Sequence, residues 1–235
     1  LALTGAVDDR AFQPADERLQ WYCRQQLGIG PGEFVATWMG RLAPEKNLPF
    51  MLAALAACQR PPETLLLVGD GPLGDCLRGE ARRLNVAHRI RFLGDQGDVR
   101  PFLHAADVFA FPSRSESLGL AMLEAMACGL PVVALKPDGE RVQTACDEVL
   151  DGGRCGMLVE PATPQSFAAA LDGLRADPGL QKDLGLAARR RVTERYNWSC
   201  VGRQFRSVVH GLLEAESGRP KSRTMNELMA AEAMN

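Results

Sequence analysis

The sequence lacks the roughly 18 consecutive apolar residues that a membrane-crossing helix needs, and its 235 residues contain no Cys-x-x-Cys pair. Its histidines are few and far apart (His88, His104, His210), and its seven cysteines (Cys23, Cys58, Cys76, Cys128, Cys146, Cys155, Cys200) are odd in number and scattered. That spacing supports neither a zinc site nor a disulfide framework. The thiols are expected to be reduced and mostly in core positions, in a cytoplasmic protein. An excess of one charge is also missing. The 27 basic and 29 acidic residues leave a net charge of -2, which gives no reason to expect nucleic acid or a strongly acidic membrane as partner. Internal repeats are absent. What is present is ordinary for a soluble globular chain, with 46% hydrophobic and 24% charged residues, and this excludes a disordered or fibrous protein.

Short apolar runs alternate with longer helical stretches. Phe34 to Met39 reads as a strand and Asn47 to Cys58 as a helix. Strand Thr64 to Val68, helix Leu73 to Leu84 and strand Arg89 to Leu93 follow, then helix Val99 to Leu103 and strand Val108 to Phe111. Helix Leu120 to Ala127, strand Val132 to Leu135 and a last short strand, Met157 to Val159, complete the series. Continuous apolar strands suit a parallel sheet covered on both faces, and the alternation predicts an α/β, doubly wound parallel sheet of Rossmann-like type. After Pro164 only helices are expected, over Pro164 to Leu174, Pro178 to Tyr196 and Trp198 to Leu213. Asp177-Pro178 has the form of an N-cap followed by proline at the first helical position. The first twenty residues carry no strand signal and are expected to run over the surface. The polar, proline-interrupted stretch from Ser217 is expected to be loosely held, with a weak helix in its last ten residues. The domain reading is a lead-in over residues 1–30, one α/β domain over 31–216 and a flexible tail over 217–235.

Candidate chemistry gathers at the C-terminal ends of the predicted strands, where open α/β sheets bind ligands. The loop Gly40-Arg41-Leu42-Ala43-Pro44-Glu45-Lys46-Asn47 sets two cations after a strand, as a diphosphate needs; a solvated basic turn would look the same. Val68-Gly69-Asp70-Gly71-Pro72-Leu73-Gly74 formally matches a dinucleotide fingerprint. It does not sit on the first strand, however, and Pro72 also explains it as an ordinary helix start. Phe92-Leu93-Gly94 ends a strand in a way that lets a flat base approach the backbone, and it is also what a plain turn looks like.

The most specific segment runs from Phe111-Pro112-Ser113-Arg114-Ser115-Glu116 through Ser117-Leu118-Gly119-Leu120 to Glu124. Free amides around Leu118, Gly119 and Leu120 at a helix start make an anion site. Glu116 lies before that site and Glu124 beyond it, so a ligand with hydroxyls on both sides of a diphosphate would satisfy both. The alternative is that Glu116 merely complements the helix N-terminus and Glu124 lies at the surface.

Taken together and in order, these segments resemble the C-terminal half of glycosyltransferase family 4 (group 1), retaining enzymes of the GT-B fold. The resemblance rests on the E-x7-E pair of Glu116 and Glu124, Gly40-Arg41-Leu42 with Lys46, Val68-Gly69-Asp70-Gly71-Pro72 and Phe92-Leu93-Gly94. It extends to Ala106-Asp107-Val108 and to Asp151-Gly152 with Gly156-x-Leu158-Val159-x-Pro161, over roughly residues 34–161. It implies that Arg41 and Lys46 neutralise the donor's diphosphate, that Glu116 holds hydroxyls of the donor sugar, and that Glu124 holds the ribose. It further implies that the amides near Leu118 to Leu120 meet phosphate or sugar, with Gly40, Gly71, Ser117 and Gly119 lining the donor site, and that the backbone of Leu93 and Gly94 meets the base. The implied ligand is a nucleotide-diphosphate sugar used in glycan, polysaccharide or glycolipid synthesis, with no metal and no other cofactor; no Asp-x-Asp occurs in the chain.

Departures are visible as well. Ser117 and Leu118 stand where the family usually has Gly and Phe, and Lys136-Pro137-Asp138-Gly139-Glu140 replaces its Gly-Gly loop. The chain opens on Leu1, about where the family's two domains join. The expectation is therefore a donor-binding half that is not fully competent alone. The acceptor domain would precede it, with peripheral contact to the inner membrane made through that half. A non-catalytic nucleotide-sugar module that needs a partner subunit is the alternative, and a dinucleotide-dependent oxidoreductase built on Gly69, Gly71 and Gly74 is a third reading.

Overall fold

The apolar runs of the sequence become the strands of a sheet. The structure, a computed structural model, describes residues 5–216. Its strands are β1 (Val35–Met39), β2 (Thr64–Val68), β3 (Ile90–Gly94), β4 (Val108–Phe111), β5 (Ser115–Glu116), β6 (Val132–Leu135), β7 (Gln143–Thr144) and β8 (Met157–Val159). Six of them form one parallel sheet in the order β3-β2-β1-β4-β6-β8, while β5 and β7 pair separately. Every residue of β1, β2, β4 and β6 is buried, as parallel strands covered on both faces require. The order is that of a doubly wound sheet, whose switch point falls between β1 and β4.

Alternate strand residues feed two cores. Val35, Met39, Leu66, Val68, Phe109, Phe111, Val132 and Ala134 face one side, and Ala36, Trp38, Leu65, Leu67, Val108, Ala110, Val133 and Leu135 the other. The helices are α1 (Glu17–Gln26), α2 (Leu48–Ala57), α3 (Gly74–Arg83), α4 (Arg100–Ala105), α5 (Leu120–Ala127), α6 (Cys146–Val149), α7 (Pro164–Ala176), α8 (Pro178–Arg195) and α9 (Trp198–Glu216). Buried residues of α2, α3 and α7 join the second core, and those of α1, α4, α5, α6 and α8 the first. The connections thus leave β1 and β4 toward opposite faces, which opens the crevice between them.

Sequence signals fix most helix starts. Thr163 accepts from the Ser166 amide at 3.1 Å and Pro164 opens α7. Asp177 accepts from the Leu180 amide at 2.9 Å and Pro178 opens α8. Asn197 breaks α8 from α9, and its Oδ1 accepts from the Cys200 amide at 2.8 Å. The face of α9 that carries Trp198, Phe205, Leu212 and Leu213 is exposed.

The N-terminal stretch differs from expectation. It does not merely cross the surface, because Val7 is buried and its amide donates to the Tyr196 carbonyl at 2.8 Å. Helix α1 was not expected at all. Only Cys23 of its ten residues is buried, while Leu19, Trp21 and Tyr22 stay exposed; Asp16 caps it by accepting from the Leu19 amide at 2.7 Å. The small β5–β7 pairing and α6 are likewise additions, too short to leave a periodic signal. The tail over 217–235 and its weak helix lie outside the described residues.

One side chain ties α1 to the sheet. Arg24 donates to Asp107 Oδ2 at 2.7 Å, to the Ala105 carbonyl at 3.0 Å and to the Glu33 carbonyl at 3.1 Å. The same Asp107 oxygen accepts from the Val35 amide at 2.8 Å, so the pair clamps the entry to β1 against the entry to β4. Burial pushes the Asp107 carboxyl up, against the pull of Arg24 and the Val35 amide. Removing one member of such a pair strands the other, so Asp107→Asn or Arg24→Met is expected to cost about 3 kcal/mol of folding stability. Because the partners share one network, the double variant is expected to lose less than the sum of the singles. Thermal and urea unfolding of the three variants checks this, and additive losses would contradict it.

Candidate functional site

The loops that follow β1 and β4 meet over the switch point, where two contacts lock them together and a third ties in the segment after β6. Asn47, in the left-handed region at φ 56°, is buried and donates from Nδ2 to the Pro112 carbonyl at 3.1 Å. The Arg114 amide donates to the Glu45 carbonyl at 2.9 Å, and the Gln143 amide donates to the Arg114 carbonyl at 2.6 Å. The β5–β7 pairing continues that last contact, placing Ser115 beside Gln143 and Glu116 beside Thr144. This lacing brings Lys46 of one loop to Glu116 of the other. The Lys46 ammonium donates to Glu116 Oε2, and the two side chains are 20% and 21% exposed.

Around that pair lies a cleft of two lobes. The smaller, about 330 Å³, is lined by Gly40, Arg41, Lys46, Glu116, Ser117, Leu118, Gly119 and Leu120, over a floor of Trp38, Phe111 and Ser113. The larger, about 630 Å³, is lined by Gly40, Arg41, Asp70, Asp95, Gln96 and Glu124. Met39, Gly40, Arg41 and Ala121 belong to both lobes, so the two adjoin at Arg41. Arg41 is exposed, and its guanidinium has no hydrogen-bond or ion-pair partner among the described residues. The start of α5 faces the same space. Gly119 adopts φ 79°, and a Cβ there would come within 2.9 Å of the Phe111 ring, so the turn that presents the amides of Leu118, Gly119 and Leu120 needs glycine.

Glu124 is half-buried, its carboxylate is without a partner among the described residues, and burial pushes its pKa up. Ser113 is almost fully buried, and its hydroxyl is the one buried side-chain polar atom without a partner among the described residues.

Most of the expected residues therefore converge. Gly40, Arg41, Lys46, Glu116, Ser117, Leu118, Gly119 and Leu120 share one lobe, and Glu124 sits in the other, as the E-x7-E spacing suggested. Three expected residues line neither lobe. Gly71 and Gly94 line an adjoining pocket of about 390 Å³, which shares Gly69 and Asp70 with the large lobe and lies beside Arg78, whose guanidinium stacks on Phe92 at 4.3 Å. Leu93 lines neither lobe; its carbonyl accepts from Gln96 Nε2 at 2.7 Å, and the Gly94 carbonyl accepts from the Gly69 amide at 2.7 Å. The glycine pattern of residues 69–74 has a packing cause. A Cβ on Gly69 would run into the Gly40 carbonyl, and one on Gly71 would come within 2.7 Å of the Leu42 backbone. Those glycines let the loop after β2 lie against the loop after β1, with the Leu42 amide donating to the Asp70 carbonyl at 2.9 Å. A dinucleotide fingerprint is not needed to explain them. Sequence reasoning gave no role in this site to Asn47 or Ser113, although both lie in the candidate segments, nor to Asp95 or Gln96. Only Asn47 carried a usable signal, as a polar residue opening an apolar helix.

Among the described residues, no group of three or more His, Cys, Asp or Glu side chains is placed to share a metal ion, and no helix is long and apolar enough to cross a membrane.

Comparison with known proteins identifies the family. Residues 20–191 match the profile described as glycosyl transferases group 1. A GDP-mannose-dependent alpha-(1-6)-phosphatidylinositol monomannoside mannosyltransferase of Mycolicibacterium smegmatis is 33% identical over 224 residues, covering 91% of this chain and 56% of its own. A D-inositol 3-phosphate glycosyltransferase of Salinispora arenicola is 37% identical over 224 residues, covering 88% and 47%. The chain thus spans about half the length of the curated relatives it matches. Among solved structures, Anabaena HepE in complex with UDP and glucose superposes with a TM-score of 0.77 at 27% identity, covering 88% of this chain and 55% of that one. The C-terminal domain of LpcC, a glycosyl transferase group 1 family protein of Francisella tularensis, superposes with a TM-score of 0.68 at 27% identity, covering 82% of this chain and 99% of that domain. It is to this family, the group 1 glycosyl transferases, that the chain belongs, as one half of its GT-B architecture.

Proposed function

We propose that this chain is the donor-binding half of a retaining glycosyltransferase and that its two-lobed cleft holds a nucleoside-diphosphate sugar. The observation that carries the reading is the order of charges along the cleft. Glu116 and Lys46 lie in the small lobe, Arg41 at the junction and Glu124 in the large lobe. The sugar belongs in the small lobe, where the Glu116 carboxylate accepts its hydroxyls. The diphosphate belongs at the junction, within reach of Arg41, Lys46 and the amides that open α5. The ribose belongs against Glu124, and the base toward Asp95 and Gln96, beyond the end of β3.

As the glycosidic bond to phosphate breaks, negative charge grows on the leaving diphosphate. Cations and helix-start amides aimed at that charge stabilise the transition state more than the ground state. In this reading, Arg41 and Lys46 carry the electrostatic work without a metal. HepE, with UDP and glucose bound, supports a nucleotide-sugar ligand by likeness. The greater length of the relatives and the exposed apolar face of α9 support a second domain that brings the acceptor. Any peripheral contact with the inner membrane belongs to that domain. Seven free thiols suit a cytoplasmic location, where reduced cysteines persist. The product class is a glycan, polysaccharide or glycolipid.

Two measurements test the site. Arg41→Ala is expected to weaken binding of UDP-glucose or GDP-mannose about tenfold or more, the scale of a lost charge-assisted hydrogen bond, with folding unchanged because Arg41 is exposed. Calorimetric titration reads it; unchanged affinity, or no binding of either donor by the parent chain, sinks the reading. The second test uses pH. Only the ionised Glu124 carboxylate accepts two hydroxyl donors freely, and burial raises its pKa above the ordinary value of 4.5. Donor affinity is therefore expected to fall as pH drops through that raised pKa, and Glu124→Gln is expected to bind more weakly at neutral pH with that fall flattened. An identical pH profile in the variant would remove Glu124 from the site.

A further inference from the structure

We infer that the Lys46–Glu116 ion pair discriminates between a glycosylated nucleoside diphosphate and the free nucleoside diphosphate, and disfavours the free form; the inference rests on the donor-site reading above. In the structure each of these groups is engaged by the other. Their side chains can turn, but the backbones that carry them are anchored. Lys46 ends a 3-10 turn followed by the Asn47–Pro112 contact, and Glu116 is held in the β5–β7 pairing. Glu116 and Lys46 line the same lobe of about 330 Å³, so a phosphate that reaches Lys46 arrives beside the Glu116 carboxylate.

Consider first a free nucleoside diphosphate. Its terminal phosphate either takes Lys46 from Glu116 or shares the ammonium with it. Both outcomes leave a carboxylate next to a phosphate, and part-burial makes that repulsion stronger than in open water. Nothing on the free diphosphate donates a hydrogen bond to Glu116. A glycosylated diphosphate differs in two respects. The ester removes one ionisable oxygen from the terminal phosphate, and the sugar brings hydroxyl donors into the lobe where Glu116 has just lost its partner. The exchange of Lys46 from carboxylate to phosphate is then matched by an exchange of Glu116 from ammonium to sugar hydroxyl. The same pair would speed release of the free diphosphate once the sugar has left, because the vacated carboxylate competes for Lys46 again.

The test is a titration of this chain with UDP, UDP-glucose, GDP and GDP-mannose, comparing the parent with Glu116→Gln and Glu116→Ala and following the thermal unfolding of each. The neutral amide keeps the shape, removes the repulsion and frees Lys46. Glu116→Gln is expected to bind whichever free diphosphate the parent recognises about threefold tighter or more, as loss of a competing part-exposed ion pair allows. Its affinity for the matching sugar nucleotide is expected to fall, so that preference for the glycosylated form collapses or inverts. A merely structural role for the pair would weaken both ligands together. If the parent binds and Glu116→Gln holds the free diphosphate no tighter, the inference is overturned while the donor site stands. If the parent binds none of the four ligands, the donor reading fails and the inference with it. Should Glu116→Gln not fold, Glu116→Ala carries the same comparison; failure of both to fold assigns the pair to the fold and overturns the inference.

Discussion

The chemistry of this protein hangs from the place where β1 and β4 run side by side and their connections leave toward opposite faces of the sheet. Parallel pairing sets Ala36 beside Val108 and Thr37 beside Phe109, so the two strands end at the same level and release their loops into one crevice. Hydrophobic burial on both faces holds that arrangement. Phe109 and Phe111 point into one core and Trp38 into the other, and shifting either strand by one residue would turn each of these onto the wrong side. The crevice is therefore a consequence of the core, not a feature added to it. The Arg24–Asp107 clamp at the opposite end of the same two strands keeps their entries together as Asn47 keeps their exits together.

A net charge of -2 conceals how charge is distributed where it matters. Within the cleft two cations lie between two carboxylates, and the four differ in what already satisfies them. Lys46 and Glu116 neutralise each other, whereas Arg41 and Glu124 have no partner among the described residues. Arg41 is exposed, so it keeps its hydration and pays little desolvation cost. Glu124 is half-buried, and its raised pKa records the cost of keeping a carboxylate there. A group retained at a cost and without a partner is where a ligand's hydrogen-bond donors gain most.

The sheet was legible because fully buried strands leave continuous apolar runs: TLLLV at β2 and VFAF at β4 admit few other readings once helical segments separate them. Much of the cleft was legible for a different reason. Gly40-Arg41, Lys46 and the Glu116-to-Glu124 segment sit directly after predicted strands, and strand ends are where such sheets bind. Elements held by single polar interactions were not legible. Helix α1 buries only Cys23 of its ten residues and depends on Arg24 reaching Asp107, a partner 83 residues away. The two-residue strands β5 and β7 have no room for a pattern. Gly69 and Gly71 misled in the opposite sense, because their pattern resembles a phosphate loop, while their cause is a backbone some 30 residues earlier in the chain. Periodicity reports burial, and motif spacing reports local geometry. Neither reports a contact between two loops.

That division also separates what is rigid in the cleft from what can move. The backbone is fixed by contacts that leave it little freedom: the Leu42 amide on the Asp70 carbonyl, the Arg114 amide on the Glu45 carbonyl and Asn47 on the Pro112 carbonyl. The charged groups stand on long side chains with several rotatable bonds. A ligand entering such a site meets amides and carbonyls already in place and pays ordering entropy chiefly for Arg41 and Lys46. Shape selection by the backbone and charge selection by the side chains are then separable. The first admits anything that fits along two lobes joined at Arg41. The second decides among those candidates by whether each carboxylate receives a hydrogen-bond donor for the contact it gives up.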